Sequence, residues 1–72
     1  MENWRAVVGH NVRRLRKAAG LTQEQLAFEA KIDLTYVGGI ERGRRNPSVL
    51  VLGRIAHVLN AEPSDLLKRR ND

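Results

Sequence analysis

Three arginines, Arg42, Arg44 and Arg45, crowd around Gly43, and Asn46 follows them directly. A guanidinium is always charged and presents a planar fork of donors that matches carboxylate or phosphate oxygens. The chemistry open to such a cluster is polyanion binding rather than bond-making. Little else in the 72 residues competes with that reading. With no cysteine there is no disulfide and no cysteine metal site. His10 and His57 lie far apart in sequence without a ligand pattern around them and read as ordinary surface or boundary residues, so no metal and no cofactor is expected. No nucleophile has a base at a fixed spacing, and no carboxylate pair stands out. A chain this short has little room for a substrate pocket of about 300 Å³. An enzyme is therefore not expected.

Two further basic clusters are Arg13, Arg14, Arg16 and Lys17, and Lys68, Arg69 and Arg70; the net charge is +5. Any one of them could be a solvated face, so position decides what each does. The elements that must position them are short. Punctuation at Gly20, at residues 31–33, at 43–47 and at 60–63 divides the chain into five segments, each with helical periodicity and none alternating like a strand. Residues 1–72 form one domain, near the lower size limit for a self-sufficient core. Hydrophobic residues make up 42% but aromatics only 4%, so the core is built from Leu, Ile, Val and Ala. No long apolar run marks a signal peptide or a membrane span.

In segment one, Val8, Val12 and Leu15 make an apolar stripe, and Gly20 is its stop. Segment two opens with "TQEQ", a capping box between Thr22 and Gln25, and buries Leu26, Ala27 and Ala30. Segment three has Asp33 as its N-cap. Segment four follows Ser48, with Val49, Leu52, Ile55, Ala56 and Leu59 as its inward set. Segment five, about residues 63–69, places Leu66 and Leu67 against the rest. Segments two and three are each two or three turns long and about three residues apart. Helices that short are unstable alone and must pack on each other. Two such helices joined by a tight turn, over about residues 22–42 and ending in arginines, describe a helix-turn-helix.

The run "LRKAAGLTQEQLAFEAKIDLTYVGGIERGRRNPSVLVLGRIAHVL" resembles the lambda-repressor-like, Cro-type helix-turn-helix family, also called Xre-type. The resemblance covers about residues 8–67; "GLTQEQLA", "IERGRRNPS" and "RIAHVL" are together highly specific. Within that family the sequence is most similar to controller proteins of restriction-modification systems. The resemblance implies an all-α, compact five-helix domain that acts as a sequence-specific regulator of transcription on a double-stranded DNA operator. It implies bacterial or phage origin and a cytoplasmic, nucleoid-associated location. Helix three, about residues 34–42, would lie in the major groove. Gln23 matches the place where the first amides of helix two meet a phosphate, and Thr35 and its neighbours match the base-reading positions. Arg42 to Asn46 match the loop that follows the phosphate backbone, and Arg16 and Glu41 match a structural ion pair. Two positions depart from the pattern. Lys31 stands where the turn usually has glycine, and Gly39 where a polar base-reading side chain is common.

At about 100° per residue, Val37 and Ile40 point into the core, and the opposite face carries Thr35, Gly38, Gly39 and Arg42, flanked by Leu34 and Tyr36. The expectation is that Gly38 and Gly39 thin the helix so that its backbone presses close to DNA. The competing reading is that they relieve crowding against helix one or two. Direct readout then rests on Leu34, Thr35, Tyr36 and an arginine, with part of the specificity coming from DNA shape. Tyr36 could instead simply pack at the core's edge, and Arg44 and Arg45 could be a solvated loop. On helix four, Leu50, Val51 and Val58 are surplus to the core stripe, and with Leu67 they form the expected interface of a two-fold homodimer; the competing reading is that this face packs within the monomer under the C-terminal tail. No small-molecule effector is expected. The alternative function is an antitoxin or protein-interaction module on the same fold; an antitoxin usually needs an extra segment to wrap its partner, and only seven residues follow Asp65.

Overall fold

Local hydrogen bonding starts the helices. In the computed structural model, which describes residues 2–69, four α-helices occupy Trp4–Ala18 (α1), Gln23–Ala30 (α2), Leu34–Glu41 (α3) and Val49–Val58 (α4). Arg70 of the last basic cluster lies outside the described residues. Asn3 accepts from the Ala6 N–H at 3.2 Å and Ser48 from the Val51 N–H at 3.1 Å. At α2 the capping box is complete: Thr22 Oγ1 accepts from the Gln25 N–H at 3.0 Å, and Gln25 Oε1 accepts from the Thr22 N–H at 2.8 Å. Asp33 occupies the N-cap of α3 but makes no side-chain cap bond. Its carboxylate acts there only as a charge near the positive end of the helix.

The four helices stop in one way. Each is followed by a left-handed residue: Gly20 (φ 74°), Lys31 (φ 60°), Gly43 (φ 74°) and Asn60 (φ 56°). The next N–H then folds back over the last turn, from Leu21 to Arg16 O, Ile32 to Ala27 O, Arg44 to Gly39 O and Ala61 to Ala56 O. This is the Schellman arrangement, which satisfies carbonyls that the helix itself leaves open. Lys31 adopts it despite its Cβ, at a cost of about 1–2 kcal/mol relative to a relaxed backbone. The three-residue turn between α2 and α3 is thus set by one strained lysine.

Val8 and Val12 of α1, Leu26, Ala27 and Ala30 of α2, Val37 and Ile40 of α3, Ile55 and Ala56 of α4, and Leu59 and Leu66 form the core. Helix α1 packs on α3 and on the C-terminal segment, and α2 packs on both α3 and α4. The α1–α3 contact is made at backbone distance. Gly9 is buried, and a Cβ there would run into the Ile40 carbonyl oxygen. Asn11, also buried, donates to the carbonyls of Leu66 at 2.9 Å and Lys68 at 2.8 Å, which ties the C-terminus to α1.

Three expectations are corrected. The fifth element is a 3-10 turn, Pro63–Leu67, and not an α-helix. Within it Leu66 is buried but Leu67 is 45% exposed, because adjacent helical side chains point about 120° apart and the Asn11 bond to the Leu66 carbonyl docks this turn on α1. Val49 is 80% exposed rather than inward. It stands in line with buried Ala56, but two turns nearer the start of α4, where nothing packs over it.

Candidate nucleic-acid interface

Helix α3 offers its first turn to solvent. Leu34 and Thr35 are exposed and Tyr36 is half-buried, while Val37, Gly38, Gly39 and Ile40 are buried. The chain then turns through Gly43 into a loop in which Arg42, Arg44, Arg45 and Asn46 are all exposed. Pro47, buried, anchors the far end of that loop. Among the described residues, no carboxylate pairs with Arg42, Arg44 or Arg45. The other basic groups are partly offset: Lys68 pairs with Asp65 at 3.0 Å, and Arg69 reaches Glu2 at 3.7 Å. Arg5, Arg13, Arg14, Lys17, Lys31 and Arg54 likewise pair with no described carboxylate, so what sets Arg42, Arg44 and Arg45 apart is their place next to the exposed turn of α3.

Burial of Gly38 and Gly39 departs from the expected bare backbone. They do face away from Val37 and Ile40, but arginine side chains cover them. A Cβ on Gly38 would lie 3.1 Å from Arg42 Nη1, and one on Gly39 would lie 2.7 Å from Arg45 Cγ. Neither glycine has its nearest neighbours on α1 or α2, so relief of crowding against those helices is not their role either. Arg45 continues across α3, with its guanidinium carbon 5.7 Å from the centre of the Tyr36 ring.

The structure brings Arg16 and Glu41 together across 25 residues. Arg16 Nε donates to Glu41 Oε2 at 2.6 Å and Nη2 to Oε1 at 3.0 Å, with the two side chains 10% and 2% exposed. Arg16 Nη1 also donates to the Leu21 carbonyl at 2.8 Å. Its hydrogen bonds to the Glu41 carboxylate hold the Arg16 guanidinium above its ordinary range, against the opposing effect of burial. Gln23 joins this pair: its Nε2 donates to Glu41 Oε1 at 2.9 Å. The Gln23 side chain is thus turned inward, and what the first turn of α2 can offer an anion is backbone N–H.

Sequence reasoning passed over Phe28, Gly9 and Asn11. Phe28 is 85% exposed on α2 and lines one depression with Lys31, Thr35, Tyr36 and Arg45. Its signal was an aromatic outside the Leu26–Ala27–Ala30 stripe. Gly9 and Asn11 were legible as a glycine and an amide set beside the Val8–Val12 stripe. Of the expected dimer residues, Leu50 is 80% exposed, while Val51 and Val58 are half-buried against the core. Leu50 and Val58 share a groove with Gly53 and His57, whereas Leu67 lines a different one with Trp4, Val8 and Leu52. The described residues contain no His, Asp and Glu grouping able to hold a metal ion. No helix among them is long and apolar enough to cross a membrane.

Two short helices about a three-residue turn, backed by α1 and α4 and followed by unpaired arginines, define a helix-turn-helix domain. Residues 12–66 match the helix-turn-helix family HTH_3, and the chain belongs to that family. It is 41% identical over 66 residues to the control protein C.BamHI of Bacillus amyloliquefaciens, with 90% of this chain and 82% of that protein aligned. The crystal structure of the restriction-modification controller protein C.AhdI from Aeromonas hydrophila superposes with a TM-score of 0.83 at 45% identity, covering 86% of this chain and 94% of that one. SinR, a master regulator for biofilm formation crystallised in complex with DNA, superposes with a TM-score of 0.81 at 31% identity, covering 85% and 98%. The chain is a transcription regulator of the helix-turn-helix class and not an enzyme.

Proposed function

We propose that this regulator binds a specific double-stranded DNA operator as a homodimer, with α3 in the major groove. The observation that carries the proposal is the juxtaposition of the exposed first turn of α3 with a loop of arginines that no described carboxylate neutralises. Leu34, Thr35 and Tyr36 then face base edges. Arg42, Arg44, Arg45 and Asn46 run along the phosphate backbone, and the first amides of α2 at Gln23 cap a phosphate. With so few base-reading side chains, part of the specificity comes from the shape of the operator. A relative crystallised with DNA and relatives that are restriction-modification controllers support the reading. By the same analogy the regulated genes are those of a restriction-modification system, and the protein works on the nucleoid in the cytoplasm.

The proposed two-fold contact runs through the outer side of α4. Leu50 leads it and Val51 and Val58 flank it, while Leu67, which lines a separate groove, is the outlying member of the expected set. This places two α3 helices about 34 Å apart, one turn of DNA. The direct test is titration of duplexes from the DNA flanking the gene, with random duplex as competitor, at several salt concentrations. The proposal expects one duplex to bind at least about a thousandfold more tightly than random DNA. It also expects affinity that falls steeply with salt. Weak, salt-insensitive binding to every duplex would instead leave a protein-interaction module on the same fold.

A further inference from the structure

Glycine at the end of a recognition helix is costly to the helix, and two in succession double that cost. What occupies the space they leave differs between the two. Above Gly38 lies only the far end of Arg42, whose Nη1 would need to yield by a few tenths of an ångström to admit a Cβ at 3.1 Å. Above Gly39 lies the root of Arg45. Its Cγ would be 2.7 Å from a Cβ and its Nε 3.2 Å, so a methyl group there cannot be accommodated by swinging a distal tip aside. Arg45 follows Gly39 by six residues, and the intervening loop is pinned by the Arg44 N–H to Gly39 O bond at 2.9 Å. The stem therefore returns directly onto the helix it has just left. Its guanidinium then lies 5.7 Å from the Tyr36 ring centre, within reach of the ring's negative face.

We propose that Gly39 and Tyr36 are positioning residues that form a seat for Arg45, Gly39 by admitting its stem and Tyr36 by holding its guanidinium. The seat fixes Arg45 flat along α3 before any ligand arrives, so that its donors are aimed past the first turn of the helix, beside Thr35. A flexible arginine loses rotamer freedom when it binds, and a seated one has already lost it. Gly39 thus contributes through the arginine it admits and not through its own backbone. The contribution to binding rests on the DNA-binding reading above; the seat itself is a property of the free protein.

Two measurements separate these levels. In the free protein, the Arg45 Cγ and Cδ protons should show upfield ring-current shifts in NMR spectra. Gly39→Ala and Tyr36→Leu should abolish them, while Gly38→Ala and Tyr36→Phe should retain them. Absence of such shifts in the unmodified protein, or their survival in Gly39→Ala, overturns the seat whatever the protein does with DNA. On the DNA, Gly39→Ala and Arg45→Ala should each weaken binding about five- to tenfold and each lower the salt slope by about one unit. Their combination should be no weaker than Arg45→Ala alone, and Gly38→Ala should change affinity less than about twofold. Independent losses that multiply in the double variant would show that Gly39 acts through its own backbone, and would overturn the positioning role even with the seat present. Loss of folding does not confuse the test, because helical circular dichroism is recorded on each variant and Tyr36→Leu, which leaves Gly39 in place, reads the seat independently. Failure of the unmodified protein to bind any duplex would remove the DNA reading while the ring-current shifts still decide the seat.

Discussion

Truncation of Arg16 to alanine should come close to unfolding this domain. Arg16 supplies two of the three side-chain donors to the Glu41 carboxylate, which is 2% exposed, and it alone supplies the side-chain donor to the Leu21 carbonyl. Alanine leaves a buried carboxylate with only the neutral Gln23 amide. Removing one partner of a buried ion pair costs about 3–5 kcal/mol. A domain of this size has roughly 0.05–0.15 kcal/mol of stability per residue, or about 4–11 kcal/mol over 72 residues. The loss is therefore about a quarter or more of the total, and in urea, where a small domain unfolds with a slope of about 1 kcal/mol per molar, the midpoint should fall by about 3 M or more. The guanidinium is held above its ordinary range, so its contribution is fully present below that range and is lost only as pH rises through the raised value. The measured loss should accordingly be flat across neutral pH. Arg16→Met combined with Glu41→Leu removes both charges and should lie within about 2 kcal/mol of wild type, since apolar replacement of a buried pair is often neutral or stabilising. Urea unfolding followed by circular dichroism decides the matter. A loss under about 1 kcal/mol for Arg16→Ala would mean that the pair behaves like a surface contact. A double variant as unstable as the single would show that the uncompensated Glu41 charge is not the cause.

Other changes should act more locally. Lys31→Gly relieves the left-handed lysine at no cost in contacts, because the side chain is exposed, and should raise stability by about 0.5–1 kcal/mol; an unchanged or lower urea midpoint would contradict the strain assigned to that turn. Thr35→Ala should lose about 1–3 kcal/mol of affinity on the operator and almost none on random duplex, and equal losses on both would make Thr35 a backbone contact. Leu50→Glu places a charge on a residue that is 80% exposed, so the fold should survive while sedimentation shows a monomer; a dimer that persists moves the interface elsewhere. The Asp65 carboxyl is held below its ordinary 3.8, first by the Glu62 N–H and then by Lys68. Its stabilisation is present above 3.8 and lost as pH falls through the lowered folded value, so the melting-temperature gap between wild type and Asp65→Asn should close in acid, and a gap independent of pH would assign the effect to something other than ionisation.

What the sequence by itself determined is what depends on atoms a few residues apart. The Thr22–Gln25 box, the stop at Gly20, the break at residues 43–47 and the Val8–Val12 and Leu26–Ala30 stripes all involve bonds or periodicities within about one or two turns. Such features are set by local backbone geometry, so residue type and spacing suffice to predict them. The resemblance added one long-range contact, Arg16 with Glu41, that no spacing could have supplied. The tertiary structure decided the rest, because burial belongs to the neighbour as much as to the residue. Val49 has the right phase on α4 and still lies in the open, on the rim of a depression beside the end of α2. Leu67 and Leu66 are chemically alike, and which of the two faces the core is decided by how Asn11 docks that turn on α1. Gly9 meets the carbonyl of Ile40, and Asn11 those of Leu66 and Lys68, only once α1 is laid across both ends of the fold. The outward direction of Gly38 and Gly39 was legible from helical phase, but what covers them was not. The loop through Gly43 sends Arg45 back over α3, and the path of a returning chain is fixed by where the far end, buried at Pro47, is held.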